Sequence, residues 1–275
     1  MFVPPDIGPP PRAHTYTHAH TRTLARAHAH GLGTWVHTLR MAELACPPHV
    51  RQAAGWDCGL AVATSVLLAT QRASPAAAPR VTTRAGAKAA AAAVYADLLS
   101  KVPSDSVWTI DVARLLASAG VALRLYTSVC GINPSHGRLA WYASVLEQDS
   151  DRVVAAFDAA VAEGMQVVGT PPEVDYICAQ LHSGDVWFVA LCDARHIACS
   201  KCWLRANMFQ FTFAGHYLLL TGYSYATDEI EYMDPAASAA RCYMDAATFF
   251  RAWHSDGTDD DLIEIFRNGR VPPPV

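Results

Sequence analysis

The sequence predicts an α+β fold in which N-terminal helices pack on an antiparallel sheet. Helical periodicity is concentrated before residue 164, and apolar runs of strand length dominate from residue 186 onward. Helices first and strands later is not the alternating order of a βαβ chain. A chain of 275 residues with 52% hydrophobic and 17% charged side chains also holds enough apolar material for one substantial core.

The elements follow in chain order. Residues 1–44 stand apart: Pro4, Pro5, Pro9, Pro10 and Pro11 lead into His14, His18, His20, His28, His30 and His37, with no acid between Asp6 and Glu43. This reads as a low-complexity tail, and its arginines and threonines also fit an organelle transit peptide. The folded domain is expected over residues 45–268, with 269–275 as a short C-terminal tail. From Asp57 to Gln71, Leu60, Val62, Val66 and Leu67 recur at helical spacing, with Asp57 placed to cap a helix that opens at Cys58. Further helices are expected over Ala85–Leu99, Trp108–Ala119 with Gly120 as its stop, and Arg152–Glu163 closed by Gly164. Strands are expected at Val121–Tyr126, Val186–Leu191, His216–Tyr223, Glu229–Met233 and Leu262–Phe266, with a helix over Asp245–Trp253 between the last two.

Bulk properties exclude several function classes. A net charge of -4 and a pI near 6.3 supply no basic footprint for a nucleic-acid backbone. No apolar run approaches the roughly 20 residues of a membrane span. Eight irregularly spaced cysteines and an N-terminus without an apolar h-region point to a reducing, cytoplasmic setting.

The chemistry lies in an ordered set. Gln52 stands six residues before Cys58, His216 follows Gly215 at the head of an apolar strand, and Asp234 ends the next strand before Pro235. A thiol becomes a nucleophile as the thiolate, which a helix N-terminus and a neighbouring base both favour. Antiparallel neighbours place the start of one strand beside the end of the next, so His216 and Asp234 form a base and its orienter. An amide from Gln52 and the Cys58 backbone N–H are the matching oxyanion donors. This set predicts a cofactor-free hydrolase acting on an amide or ester in a peptide or protein. Separately, Cys192, His196, Cys199 and Cys202 include a CxxC, which leaves zinc ligation and free thiols beneath a loop as alternatives.

Gln-x5-Cys, Gly-His and Asp-Pro together resemble the bacteriocin-processing cysteine peptidases, which implies a papain-like fold. Over residues 49–266 the segments Gly55-Trp56-Asp57-Cys58-Gly59-Leu60-Ala61, Val107-Trp108-Thr109-Ile110-Asp111, Gly215-His216-Tyr217 and Gly257-Thr258-Asp259 are similar to the guanylyl cyclase domain-containing protein family. That family includes plant proteins described as soluble guanylyl cyclases. The resemblance implies conversion of GTP to cyclic GMP and pyrophosphate with Mg²⁺ or Mn²⁺. Asp256, Asp259, Asp260 and Asp261 are the carboxylates weighed for such a metal, although a charge run before a final strand reads more readily as a solvated loop. Plant cyclase-centre patterns ask for four residue types, of which Val107-Trp108-Thr109-Ile110 meets the last three. The helical phase of Trp108 and Val112 points instead to core packing. A binding module that keeps the fold without turnover completes the set of readings.

Overall fold

A computed structural model describes residues 46–70, 84–202 and 212–273. The Pro/His-rich stretch 1–44 lies outside them. The expected α+β class is observed, built on a seven-stranded sheet. Its strands are β1 (Leu123–Tyr126), β2 (Gln166–Val168), β3 (Val186–Asp193), β4 (Gly215–Ser224), β5 (Glu229–Met233), β6 (Cys242–Asp245) and β7 (Leu262–Phe266), in the order β2-β1-β7-β3-β4-β5-β6. Every neighbouring pair is antiparallel except β1 and β2, which run parallel. The sheet is therefore mixed rather than antiparallel. Its parallel pair arises because a helix, Leu146–Ala162, intervenes between β1 and β2 and carries the chain back to the same end.

Helices cover both faces rather than one. In β3, Trp187, Val189 and Leu191 face a core shared with Leu60, Val66, Val112 and Leu116, while Val186, Phe188, Ala190 and Cys192 face a second core containing Ile177, Leu181, Phe249 and Trp253. Alternation with period two therefore buries every residue of β3, which is why it reads as one continuous apolar run. The first core carries helix α1 (Cys58–Ala69), α2 (Arg84–Leu99) and α3 (Thr109–Ser118). Residues Cys58 to Leu67 of α1 are all buried, the behaviour of a helix apolar around its circumference.

Gly59 fits that environment because a Cβ there would meet Val112 Cγ2 at 2.9 Å and the Tyr217 ring at 3.1 Å. This close approach seats the first turn of α1 directly on β4. Among the described residues no helix is long and apolar enough to cross a membrane.

One buried ion pair braces the edge of the sheet. Arg124 Nη1 lies 3.2 Å from Glu264 Oε2, and Glu264 also accepts hydrogen bonds from Tyr126 at 3.1 Å and Tyr176 at 2.8 Å. Arg124 Nη2 donates to the Pro272 carbonyl at 2.8 Å, which draws residues after β7 back along β1. Removing the carboxylate leaves a guanidinium buried without its counter-charge. Glu264→Ala is expected to destabilise the fold by about 3–5 kcal/mol, read from chemical denaturation, and a loss below about 1 kcal/mol would contradict this account.

Candidate active site

The site is assembled where α1 meets the start of β4 and the end of β5. Cys58 is the first residue of α1. Its N–H belongs to the first helical turn, whose donors lack intrahelical partners, and the first backbone bond closing the helix runs from Ala61 N–H to the Asp57 carbonyl.

Asp57 occupies the expected N-cap position, but its side chain makes no capping bond. Its Oδ2 accepts from the Ala53 and Ala54 N–H groups at 3.0 and 2.9 Å, and from the Tyr95 hydroxyl. The carboxylate looks back along the chain because it must satisfy the tight Gln52–Gly55 turn. That turn delivers the chain into α1 at a defined angle.

His216, the second residue of β4, is buried. Its Nε2 stands 2.8 Å from Asp234 Oδ1, and Cys58 is its other electrostatic neighbour. Since Nε2 is engaged by Asp234, Nδ1 is the nitrogen left for the thiol. The antiparallel register of β4 and β5, with Leu219 opposite Met233, brings His216 and Asp234 together across 18 residues of sequence. Burial opposes charge on the imidazole, but Asp234 and Cys58 outweigh it and push its pKa up to about 10. Burial likewise opposes charge on Asp234, yet His216 and the Ala236 and Ala237 N–H groups hold that carboxyl below its ordinary value. Each partner thus favours the charged form of the other.

Gln52 lies next to this group. Its backbone N–H donates to the Pro235 carbonyl at 3.0 Å, beside Asp234. Its side chain folds onto its own turn, with Nε2 donating to Ala54 O at 2.7 Å and Oε1 buried without a partner. One amide N–H is thereby committed within the turn.

Cys58 opens onto a cavity of about 220 Å³. An aromatic wall lines it: Tyr142 stacks on His136 at 4.3 Å and on Trp108 at 5.3 Å. Asp259 and Asp261 also line this cavity, so the Asp-rich segment is not simply a solvated loop. The reason is local backbone geometry. Gly257, at φ +101°, turns the chain inward against Leu139 and Phe213, and Asp259 and Asp260 adopt left-handed φ values of 50° and 52°. Asp259 Oδ1 is held by Asn133 Nδ2 at 2.6 Å and lies 3.2 Å from His136 Nε2.

Burial pushes the Asp261 carboxyl up to about 8, against the opposing influence of the Thr109 and Thr127 hydroxyls. An oxygen-lined Mg²⁺ or Mn²⁺ site wants ionised carboxylates with free lone pairs. Asp259 Oδ1 is already bonded to Asn133, and among the described residues these carboxylates do not gather into a group of three ligands, so the lining does not fit that requirement. Asp105 joins them in the lining, while the described lining residues include no lysine or arginine.

The Asp261 shift has a sign that can be checked. Between the ordinary carboxyl value of about 3.9 and about 8, the folded chain keeps a proton that the unfolded chain has lost, so stability falls as pH rises. Asp261→Asn removes that dependence. Its melting temperature relative to wild type is expected to rise steadily from about pH 5 to pH 8. A difference that stays constant across the range would refute the assignment.

His136, Tyr142 and Thr127 escaped sequence reasoning. They lie in the irregular stretch between β1 and the helix Leu146–Ala162, where no periodicity marks a pocket face. The cysteines also sort differently from their spacing. Cys192 is buried in the second core and His196 lies 3.9 Å from Asp193, whereas Cys199 and Cys202 come together with Cys242. The parity of β3 decides this by turning Cys192 inward.

Comparison with known proteins agrees with the span of these elements. The sequence profile of a family described as guanylylate cyclase matches residues 47–265. The chain is similar to guanylyl cyclase 1 of Arabidopsis thaliana, with 31% identity over 224 residues that cover 79% of this chain and 74% of the relative.

Proposed function

This chain belongs to the guanylylate cyclase family, and from that premise we propose that its pocket uses a thiol nucleophile on an amide or ester carbonyl, within a papain-like domain. One observation carries the reading: an imidazole bonded to a buried carboxylate has a thiol at a helix N-terminus as its electrostatic neighbour. In the proposed reaction the Cys58 proton is held on His216 Nδ1, as its raised pKa favours, and the thiolate sulfur attacks the carbonyl carbon. The oxyanion is met by the Cys58 N–H and a Gln52 side-chain N–H. The imidazolium then protonates the leaving amine or alcohol as the tetrahedral intermediate collapses to a thioester. Water, deprotonated by the same imidazole, attacks the thioester and releases the acid and the thiol. Asp234 holds the ring tautomer throughout.

The lining supports a neutral or cationic substrate such as a peptide segment. Three carboxyls face the space, and the described lining offers no cation for a phosphate chain. The domain in this reading spans residues 45–268, and its free cysteines suit the cytoplasm.

The family description and the relative's name favour a second reading, conversion of GTP to cyclic GMP and pyrophosphate. That reading calls for Mg²⁺ or Mn²⁺ and places the nucleotide in the same aromatic cavity. Because the carboxyls there do not fit the metal, no step is drawn through it. Incubating the purified chain with a panel of N-acyl peptides and esters, and separately with GTP plus Mg²⁺ or Mn²⁺, distinguishes the two by product mass. The thiol reading expects acid and amine or alcohol from the first panel; cyclic GMP alone would replace it with the second reading.

A further inference from the structure

Far from the cavity in sequence logic, three thiols converge between the loop after β3 and the edge strand β6. Cys199, Cys202 and Cys242 place their sulfurs within 4.8 Å of one another, and Cys202 Sγ lies 3.7 Å from Cys242 Sγ. Four-coordinate zinc with Zn–S bonds near 2.3 Å requires sulfurs about 3.8 Å apart, whereas a disulfide requires about 2.05 Å. We propose that Cys199, Cys202 and Cys242 bind a thiophilic cation of the zinc class, which staples the loop after β3 to strand β6.

The surroundings are organised for this role. Cys199 and Cys202 form a CxxC knuckle, and the Tyr243 N–H donates to Cys199 Sγ at 3.4 Å. Such N–H···S bonds orient a sulfur and favour the thiolate that a metal needs. The knuckle is docked on β5 and β6. Ser200 N–H donates to Tyr243 O at 2.8 Å, Ser200 Oγ to Glu229 at 2.7 Å, and Lys201 Nζ reaches Glu229 at 3.1 Å while lying 3.5 Å from the Tyr243 ring centre. These contacts occupy the outer edge of β6, the last strand of the sheet.

Soft thiolate donors select zinc or copper(I) over magnesium or calcium. Three thiolates around Zn²⁺ carry one net negative charge, and Lys201 sits beside it. Binding exchanges the thiol protons for the metal and releases them to solvent. Among the described residues no fourth His, Cys, Asp or Glu offers an atom within the same distance, which leaves the fourth position to water. The staple also has a structural consequence for the cavity. Cys202 precedes β4, whose second residue is His216, and Cys242 follows Asp234 by eight residues, so the metal ties together two segments that flank the imidazole and its carboxylate in sequence.

The test uses the full chain, purified under reducing conditions without an affinity His tag. Wild type is expected to retain about one equivalent of zinc after dialysis, and Cys199→Ser, Cys202→Ser and Cys242→Ser to lose it. Cys192→Ser, altered in the core rather than the cluster, is expected to keep it. Exchange with Co²⁺ separates this site from the histidines of residues 1–44, because only thiolate ligands give intense sulfur-to-cobalt charge-transfer absorption. Should the serine variants fail to fold, zinc X-ray absorption of the wild-type chain reads the ligands directly, with three sulfurs near 2.3 Å expected. Zinc held only by nitrogen and oxygen, no zinc after reconstitution, or a disulfide among the three cysteines in the reduced protein would each overturn the proposal.

Discussion

Cys58→Ala is expected to lower turnover of an amide or ester substrate by at least about 10⁴-fold, because no other group in the cavity can form the thioester. The fold is expected to survive. The substitution removes one sulfur at the first position of α1 and keeps the helix, whose buried face is made by Leu60, Val66 and Leu67. Unfolding midpoints measured beside the kinetics separate lost chemistry from lost structure. Hydrolysis undiminished in the variant would remove Cys58 from its role as nucleophile. Metal-dependent cyclic GMP formation that is equal in wild type and variant would instead favour the activity carried by the family's description.

Asp234→Ala is expected to have the second largest effect, about 10²- to 10⁴-fold on kcat, because the imidazole loses the partner that fixes its tautomer. The same change is expected to shift the pH profile. In the wild type the imidazole is raised to about 10 by Asp234 and Cys58 against the opposing burial. Without the carboxylate, burial dominates and the histidine titrates lower, so the alkaline limb of kcat/KM moves to lower pH. Alkylation of Cys58 by iodoacetamide, followed against pH, reports this shift even where substrate turnover is weak. An unmoved alkaline limb would show that Asp234 does not set the imidazole.

The linkage has a definite window. A histidine with a raised folded value contributes its full stability below about 6.5, the ordinary unfolded value, and loses it as pH rises through about 10. Asp234, held low, contributes above about 3.9 and loses its contribution as pH falls through the lower folded value. Both contributions are complete between about pH 4 and 6.5. Wild type is therefore expected to exceed Asp234→Ala in stability most in that interval, a comparison that thermal denaturation across pH supplies.

Local rules made much of this molecule legible. Glu229–Met233 and Leu262–Phe266 are strands at the expected bounds, and Gly120 and Gly164 follow their helices in left-handed conformation at φ 79° and 84°. Two short strands, Gln166–Val168 and Cys242–Asp245, and the helix Val174–Ser183 were not anticipated. The strands are three and four residues long, too short for alternation to register against flanking turns. Cysteine spacing misled for a related reason. Cys242 lies 40 residues beyond Cys202, and only the pairing of β5 with β6 returns it to the knuckle.

By itself the sequence determined the class of each long element and the order thiol, imidazole, carboxylate along the chain, because periodicity, caps and turn residues act over a few neighbours. The tertiary structure alone decided which groups share a space. It turned the Asp57 carboxylate back onto the Gln52 turn, bent the Gln52 amide onto Ala54, brought His136, Asp259 and Asp261 into the Cys58 cavity, and joined Cys242 to Cys199 and Cys202. Those placements depend on strand order and on the path of loops between strands, which are fixed by the packing of distant segments on both faces of one sheet.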